Sequence, residues 1–167
     1  MRDVDDTDET VISATKDELV DELWKYLESV SDIDKEAAEY VENASERKTG
    51  ELTDEDKTLV KEMDEDIGFE TKQCYYNSQL AVTYYAGRVP QDLVYAEGYL
   101  ISSTVPVPIQ HAWIEIDGTV AEITLPKHRI NSEDPVYIGT TYTAEAVRDA
   151  IESWGTAEPL AGSGLNP

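Results

Sequence analysis

Apolar residues recur at helical spacing along the first third of the chain and at alternating spacing along its second half, and the character changes after Gly68. Thr15-Lys16-Asp17-Glu18 reads as a capping box, in which a hydroxyl and a carboxylate satisfy the first free backbone N–H groups of a helix. Leu19, Leu23, Trp24, Leu27 and Val30 then share one face, which predicts an amphipathic helix over 16–30. Ser31 is the expected cap of a second helix carrying Ile33, Ala37, Tyr40, Val41 and Ala44. Thr53 with Asp56 opens a third through Leu59, Val60, Met63 and Ile67, and Gly50 and Gly68 mark ends. Residues 14–68 thus read as a three-helix module whose outer acids are solvated, or alternatively as an acidic docking surface for a basic protein partner. Residues 1–13 hold Asp3, Asp5, Asp6, Asp8 and Glu9 with few large apolar groups, the composition of a mobile tail.

Beyond Gly68, tyrosines and β-branched residues replace charge. Residues 74–86 are apolar enough for a buried helix, with Gly87 as its stop. Residues 93–102 alternate as a strand, with Gly98 inside it marking a bulge or a close backbone approach. Val105-Pro106-Val107-Pro108 is an extended connector. Residues 110–116, the pair Asp117-Gly118 and residues 119–125 give the plainest hairpin pattern in the chain. Val136 to Tyr142 adds a strand, Thr143 opens a last helix with Ala146, Val147, Ala150 and Ile151, and 156–167 forms an irregular tail.

A two-residue turn at Asp117-Gly118 sets Ile116 opposite Thr119, Trp113 opposite Glu122 and His111 opposite Thr124. Alternation then puts His111, Trp113, Glu122 and Thr124 on one side, with His111 and Glu122 as diagonal neighbours roughly 7–8 Å apart at the backbone. A helix presenting Cys74 at its first turn is expected to pack against this same face. Helix N-termini and neighbouring imidazoles lower a thiol's pKa, so Cys74 reads as nucleophile, His111 as proton carrier and Glu122 as the group that orients the ring. The Cys74 backbone N–H and the Gln73 amide are the candidate oxyanion donors. His128, between Lys127 and Arg129, reads as a loop residue.

Composition narrows the setting. One cysteine forms no internal disulfide, and two histidines with one cysteine exclude a cysteine-rich zinc site; neither metal nor organic cofactor is expected. The net charge is -23, with 25 acids against 8 bases in residues 1–70. Such a surface repels phosphate, which argues against nucleic acid and anionic membranes as partners. Few lysines and many acids suit concentrated salt, where the Debye length falls to about 3 Å at 1 M and self-repulsion fades. No run is long and apolar enough to span a membrane, and the acidic start is unlike a signal peptide, so a cytoplasmic or virion location in a high-salt environment is expected.

Gln73-Cys74-Tyr75-Tyr76-Asn77-Ser78, Tyr95-Ala96-Glu97-Gly98-Tyr99, the run from His111-Ala112-Trp113 to Gly118, and Tyr137-Ile138-Gly139 resemble the blocks of a small papain-like, transglutaminase-like group of cysteine hydrolases found in phage and prokaryotic genomes. The resemblance spans about 72–142. It implies an α+β fold with the cysteine helix packed on an antiparallel sheet, a catalytic core over 69–155, and hydrolysis or exchange of an amide bond in a peptide or peptide-like polymer through a thioester. That group usually has Asp-Pro-Thr where this chain has Glu122-Ile123-Thr124. Glutamate is one methylene longer, which predicts a looser His111 and weaker activity. The rival reading is non-enzymatic, a structural or adaptor protein such as a virion component of a halophilic virus that retains the core.

Overall fold

The structure is a computed structural model that describes residues 14–105, 107–125, 135–155 and 158–163. The sequence-predicted mobile tail over 1–13 and His128 lie outside the described residues. Among the described residues, five helices cover an antiparallel five-stranded sheet, an α+β architecture.

Helix α1 spans Lys16–Val30 and opens with the expected capping box at Thr15 and Glu18. Helix α2, Lys35–Asn43, is capped by Asp34, whose carboxylate accepts from the Glu36 and Ala37 N–H groups. Ser31, the expected cap, instead closes α1 and donates its hydroxyl to the Glu28 carbonyl. Asp34 wins because the intervening turn returns the Ile33 and Asp34 N–H groups to Val30, which leaves Ile33 at the surface, 89% exposed. Helix α3, Asp54–Ile67, has its capping box at Thr53 and Asp56, and Gly68 ends it in the left-handed conformation.

The three helices do not close on themselves as a module. Leu19, Leu23, Leu27, Ala37 and Tyr40 of α1 and α2 pack on Tyr99, Ile101, Val136 and Ile138 of the sheet, while Leu59 and Met63 of α3 join the core beneath the next helix. Each helix has one apolar stripe, and the stripes of α1 and α2 are covered by each other and by the sheet together.

That next helix, α4, spans Cys74–Tyr85. The strands are β1 (Ser45–Glu46), β2 (Leu93–Ile101), β3 (Ile109–Ile116), β4 (Thr119–Ala121) and β5 (Val136–Tyr142), in sheet order β1-β5-β2-β3-β4. Helix α5, Ala144–Trp154, opens at Thr143 as expected. Asp117 and Gly118 both adopt positive φ, 50° and 77°, and pair Ile116 with Thr119 as a two-residue hairpin requires.

The sheet is strongly curled, and the chain after β1 closes the curl. The Arg47 N–H donates to the Tyr137 carbonyl on β5, and the Val120 N–H on β4 donates to the Lys48 carbonyl, so the short segment that continues β1 bridges β5 and β4. The described helices pack on the outer face. The inside carries Ala96, Leu100, Trp113, Val120 and Tyr137, and a bidentate pair between Arg47 and the buried Glu115 at 2.7 and 2.8 Å. Gly98 and Gly139 face one another across β2 and β5. A side chain on Gly98 would collide with the Ile138 carbonyl, so the expected close approach is the reason for that glycine. A Cβ on Gly139 would lie 2.7 Å from the Trp113 indole, which spreads across this glycine saddle.

The tail expected to be irregular has no helix or strand over 158–163, yet Leu160 and Ala161 are buried. Their N–H groups donate to the carboxylate of Glu97, which also accepts from the hydroxyls of Tyr40 and Tyr95.

Candidate active site

Cys74 is the first residue of α4, as the sequence predicts. Gln73 precedes it as the cap position but provides no side-chain cap, so the N–H groups of the first turn remain available to an anion. The loop into the helix is fixed by Asn77: its Nδ2 donates to the Glu70 carbonyl at 2.8 Å and to Thr124 Oγ1 at 3.0 Å, and its Oδ1 accepts from the Glu70 N–H. One buried amide therefore ties the approach to Cys74, the helix itself and the segment after β4.

The helix packs on the face of β3 that presents Ala112, Ile114 and Ile116, rather than on the His111 face expected from the sequence. His111 and Trp113 lie inside the curl, their rings stacked at 22° with centroids 6.3 Å apart. The two sides still meet, because the β3–β4 ladder ends at the Ile114–Ala121 pair and β4 then peels away. The freed edge of β3 admits the sulfur, which lies against the His111 ring and the Ala112 and Tyr75 N–H groups, each of which favours its anion.

Glu122 lies one residue past β4, and its departure from the strand sets its geometry. His111 Nε2 meets Glu122 Oε2 at 2.7 Å, leaving Nδ1 as the ring nitrogen for Cys74. The Thr124 and Leu125 N–H groups donate to Oε1 at 2.9 and 3.0 Å, and the Tyr137 hydroxyl donates to Oε2 at 3.1 Å. The longer side chain is thus folded back on its own backbone and held by four donors, and His111 is not loosely oriented. Thr124, expected beside Glu122 on the sheet, turns instead to Asn77.

Electrostatics follow the contacts. Burial pushes the Cys74 thiol up, but hydrogen bonding to His111, the imidazolium charge and the two N–H groups outweigh it and hold the thiol below its usual value. Burial works against protonation of His111, yet the Glu122 charge and the hydrogen bonds to Cys74 and Glu122 raise it to about 9. Glu122 is likewise destabilised as an anion by burial, and His111 with the two backbone donors more than compensates, leaving it below the usual carboxylate range. His111 and Glu122 expose only 3% and 7% of their side chains, whereas Cys74 is half-buried.

Cys74, His111 and Glu122 are therefore brought together in that order, and Gln73, the residue before Cys74, has an exposed side chain that makes no hydrogen bond to the thiol among the described residues. Asn77, Tyr137 and the turn through Thr124 were not identified as site residues from the sequence, because each acts through contacts made across strands or elements. Among the described residues, no group of three or more His, Cys, Asp or Glu side chains is placed to hold a metal ion, and no helix is long and apolar enough to cross a membrane. No family model matches the chain, and comparisons with curated proteins and with solved structures find no match.

Proposed function

We propose that the chain is a papain-like, transglutaminase-like cysteine enzyme that cleaves or exchanges an amide bond in a peptide or peptide-like polymer. The observation that carries this reading is a half-buried thiol at a helix start, hydrogen-bonded to an imidazole that a carboxylate holds from its other side. A structural protein retaining the core has no need to keep a thiol depressed and accessible while its imidazole is buried and raised.

The Cys74 thiolate attacks the amide carbonyl carbon, forming the carbon–sulfur bond while the carbonyl electron pair moves to oxygen. The Cys74 N–H and the Gln73 amide are assigned as donors to that oxyanion from their place at the helix start. The carbon–nitrogen bond breaks as His111 gives its proton to the departing amine, leaving a thioester and a neutral ring. Water, or an amine in the transfer reaction, yields a proton to His111 and adds to the thioester carbonyl. Breaking the carbon–sulfur bond releases the acid or new amide and restores the thiolate and imidazolium. Glu122 stays ionised throughout and fixes the ring.

The test uses a panel of peptide p-nitroanilides with mass spectrometry of the trapped chain. The expected result is turnover with an acyl adduct on Cys74 that hydroxylamine removes, and loss of both in Cys74→Ala and His111→Ala. Full turnover by Cys74→Ala would overturn the assignment. The charge of -23 supports a second part of the proposal, that the enzyme works in concentrated salt.

A further inference from the structure

Tyr137 sits on β5, two strands away from β3 in the sheet order, yet its hydroxyl reaches Glu122 beyond β4. The curl makes this possible. Closure through residues 45–48 brings the β5 and β4 edges together, and Gly98 and Gly139 leave the inner surface low enough for aromatic rings to span it. Tyr137 packs edge-on against Trp113 with centroids 4.9 Å apart, and Trp113 stacks on His111. The tyrosine is 2% exposed, and its hydroxyl shares Oε2 with the His111 ring.

We infer that Tyr137 is a positioning residue, the outermost member of a chain Tyr137–Glu122–His111–Cys74 that keeps a glutamate where a shorter acid would otherwise orient the ring. The inference rests on the proposed cysteine chemistry. Oε1 is anchored by two backbone donors on one side, and those alone leave the carboxylate free to swing about them. The Tyr137 hydroxyl pins the second oxygen at the point where Nε2 needs it. Glutamate is therefore usable here because a tyrosine from β5, brought round by the curl of the sheet, completes its donor set.

The test is Tyr137→Phe, which removes one oxygen and keeps the ring in its apolar setting. Iodoacetamide labelling of Cys74 is followed against pH, since its acid midpoint reports thiolate formation. If the hydroxyl positions Glu122, its loss weakens the hold on the imidazolium, and the midpoint rises by about half a unit or more. A midpoint that is unchanged, or that falls because the glutamate charge is less solvated, overturns the inference. Glu122→Gln supplies the second arm: Tyr137→Phe should add little to it, because residues acting through one partner are not additive, whereas full additivity also overturns the inference. Failure of the underlying reading looks different. The unsubstituted chain would then label slowly at neutral pH, as an ordinary thiol does, before any substitution at Tyr137.

Discussion

The Glu122 carboxylate illustrates how one methylene is absorbed. An aspartate on a continued β4 strand would reach His111 directly, whereas Glu122 sits past the strand and folds back on Thr124 and Leu125. Glu122→Asp in this backbone is expected to fall short of Nε2 and to lower kcat by about a hundredfold, the scale of an ångström of misplacement, with KM little changed. Activity equal to the parent would contradict that geometry. The same pair leaves a pH signature in stability. Because His111 is raised from 6.5 to about 9 in the fold, its contribution is fully present below its unfolded value and is lost as pH rises through about 9. Glu122 is lowered, so its contribution is present above the unfolded carboxylate pKa and is lost as pH falls through the folded one. Denaturant melts of parent and Glu122→Gln should therefore differ most at mildly acidic pH, between the unfolded values of 4.5 for Glu122 and 6.5 for His111, and converge on the alkaline side; a gap independent of pH would contradict the pairing.

At the scale of elements, local patterns were readable wherever one stretch of chain decided the outcome. The capping boxes at Thr15 and Thr53, the Asp117-Gly118 turn and the strand over 136–142 all follow from neighbouring residues; hairpin register relates His111 to Glu122, and Cys74 is legible only as the start of a helix. The choice of face for α4 was not readable, because it depends on β4 peeling away after Ala121. Nor was β1, a two-residue strand whose partner lies some ninety residues on. Glu97 was equally hidden: on β2 it alternates as an ordinary polar position, and only the return of residues 160 and 161 gives it partners. Glu97→Ala would orphan two backbone N–H groups and two tyrosine hydroxyls, and is expected to cost on the order of 3 kcal/mol, read from the denaturant midpoint. A loss within experimental error would mean that water replaces the carboxylate. Gly139→Ala tests the glycine saddle. Its methyl would meet the Glu97 backbone carbonyl even before the Trp113 indole, so β2 and β5 would have to part, at a cost of at least about 1–3 kcal/mol, whereas a silent substitution would contradict the close approach of the two strands.

For the whole molecule, charge dominates. Acids outnumber bases 36 to 13, and the ion pairs at Lys16, Lys57 and Lys61 are exposed, so they add little individually. In dilute buffer the helices of α1 to α3 repel one another and the sheet they cover, and salt relieves this. Melting temperature is expected to climb from dilute buffer to molar potassium chloride; a higher value in dilute buffer would remove the high-salt reading while leaving the catalytic one intact. The curled sheet is what joins these scales, since its closure brings β5 to β4 and its freed β3 edge receives the sulfur.

Because Cys74 is the sole cysteine, the rate of its reaction with iodoacetamide across pH probes the arrangement directly. A thiolate held by His111 and Glu122 should keep reacting at pH values where an ordinary thiol has fallen off, and His111→Ala should return the reaction to the profile of an ordinary thiol with a midpoint of about 8.5. An unsubstituted chain that follows that ordinary profile itself would contradict the account.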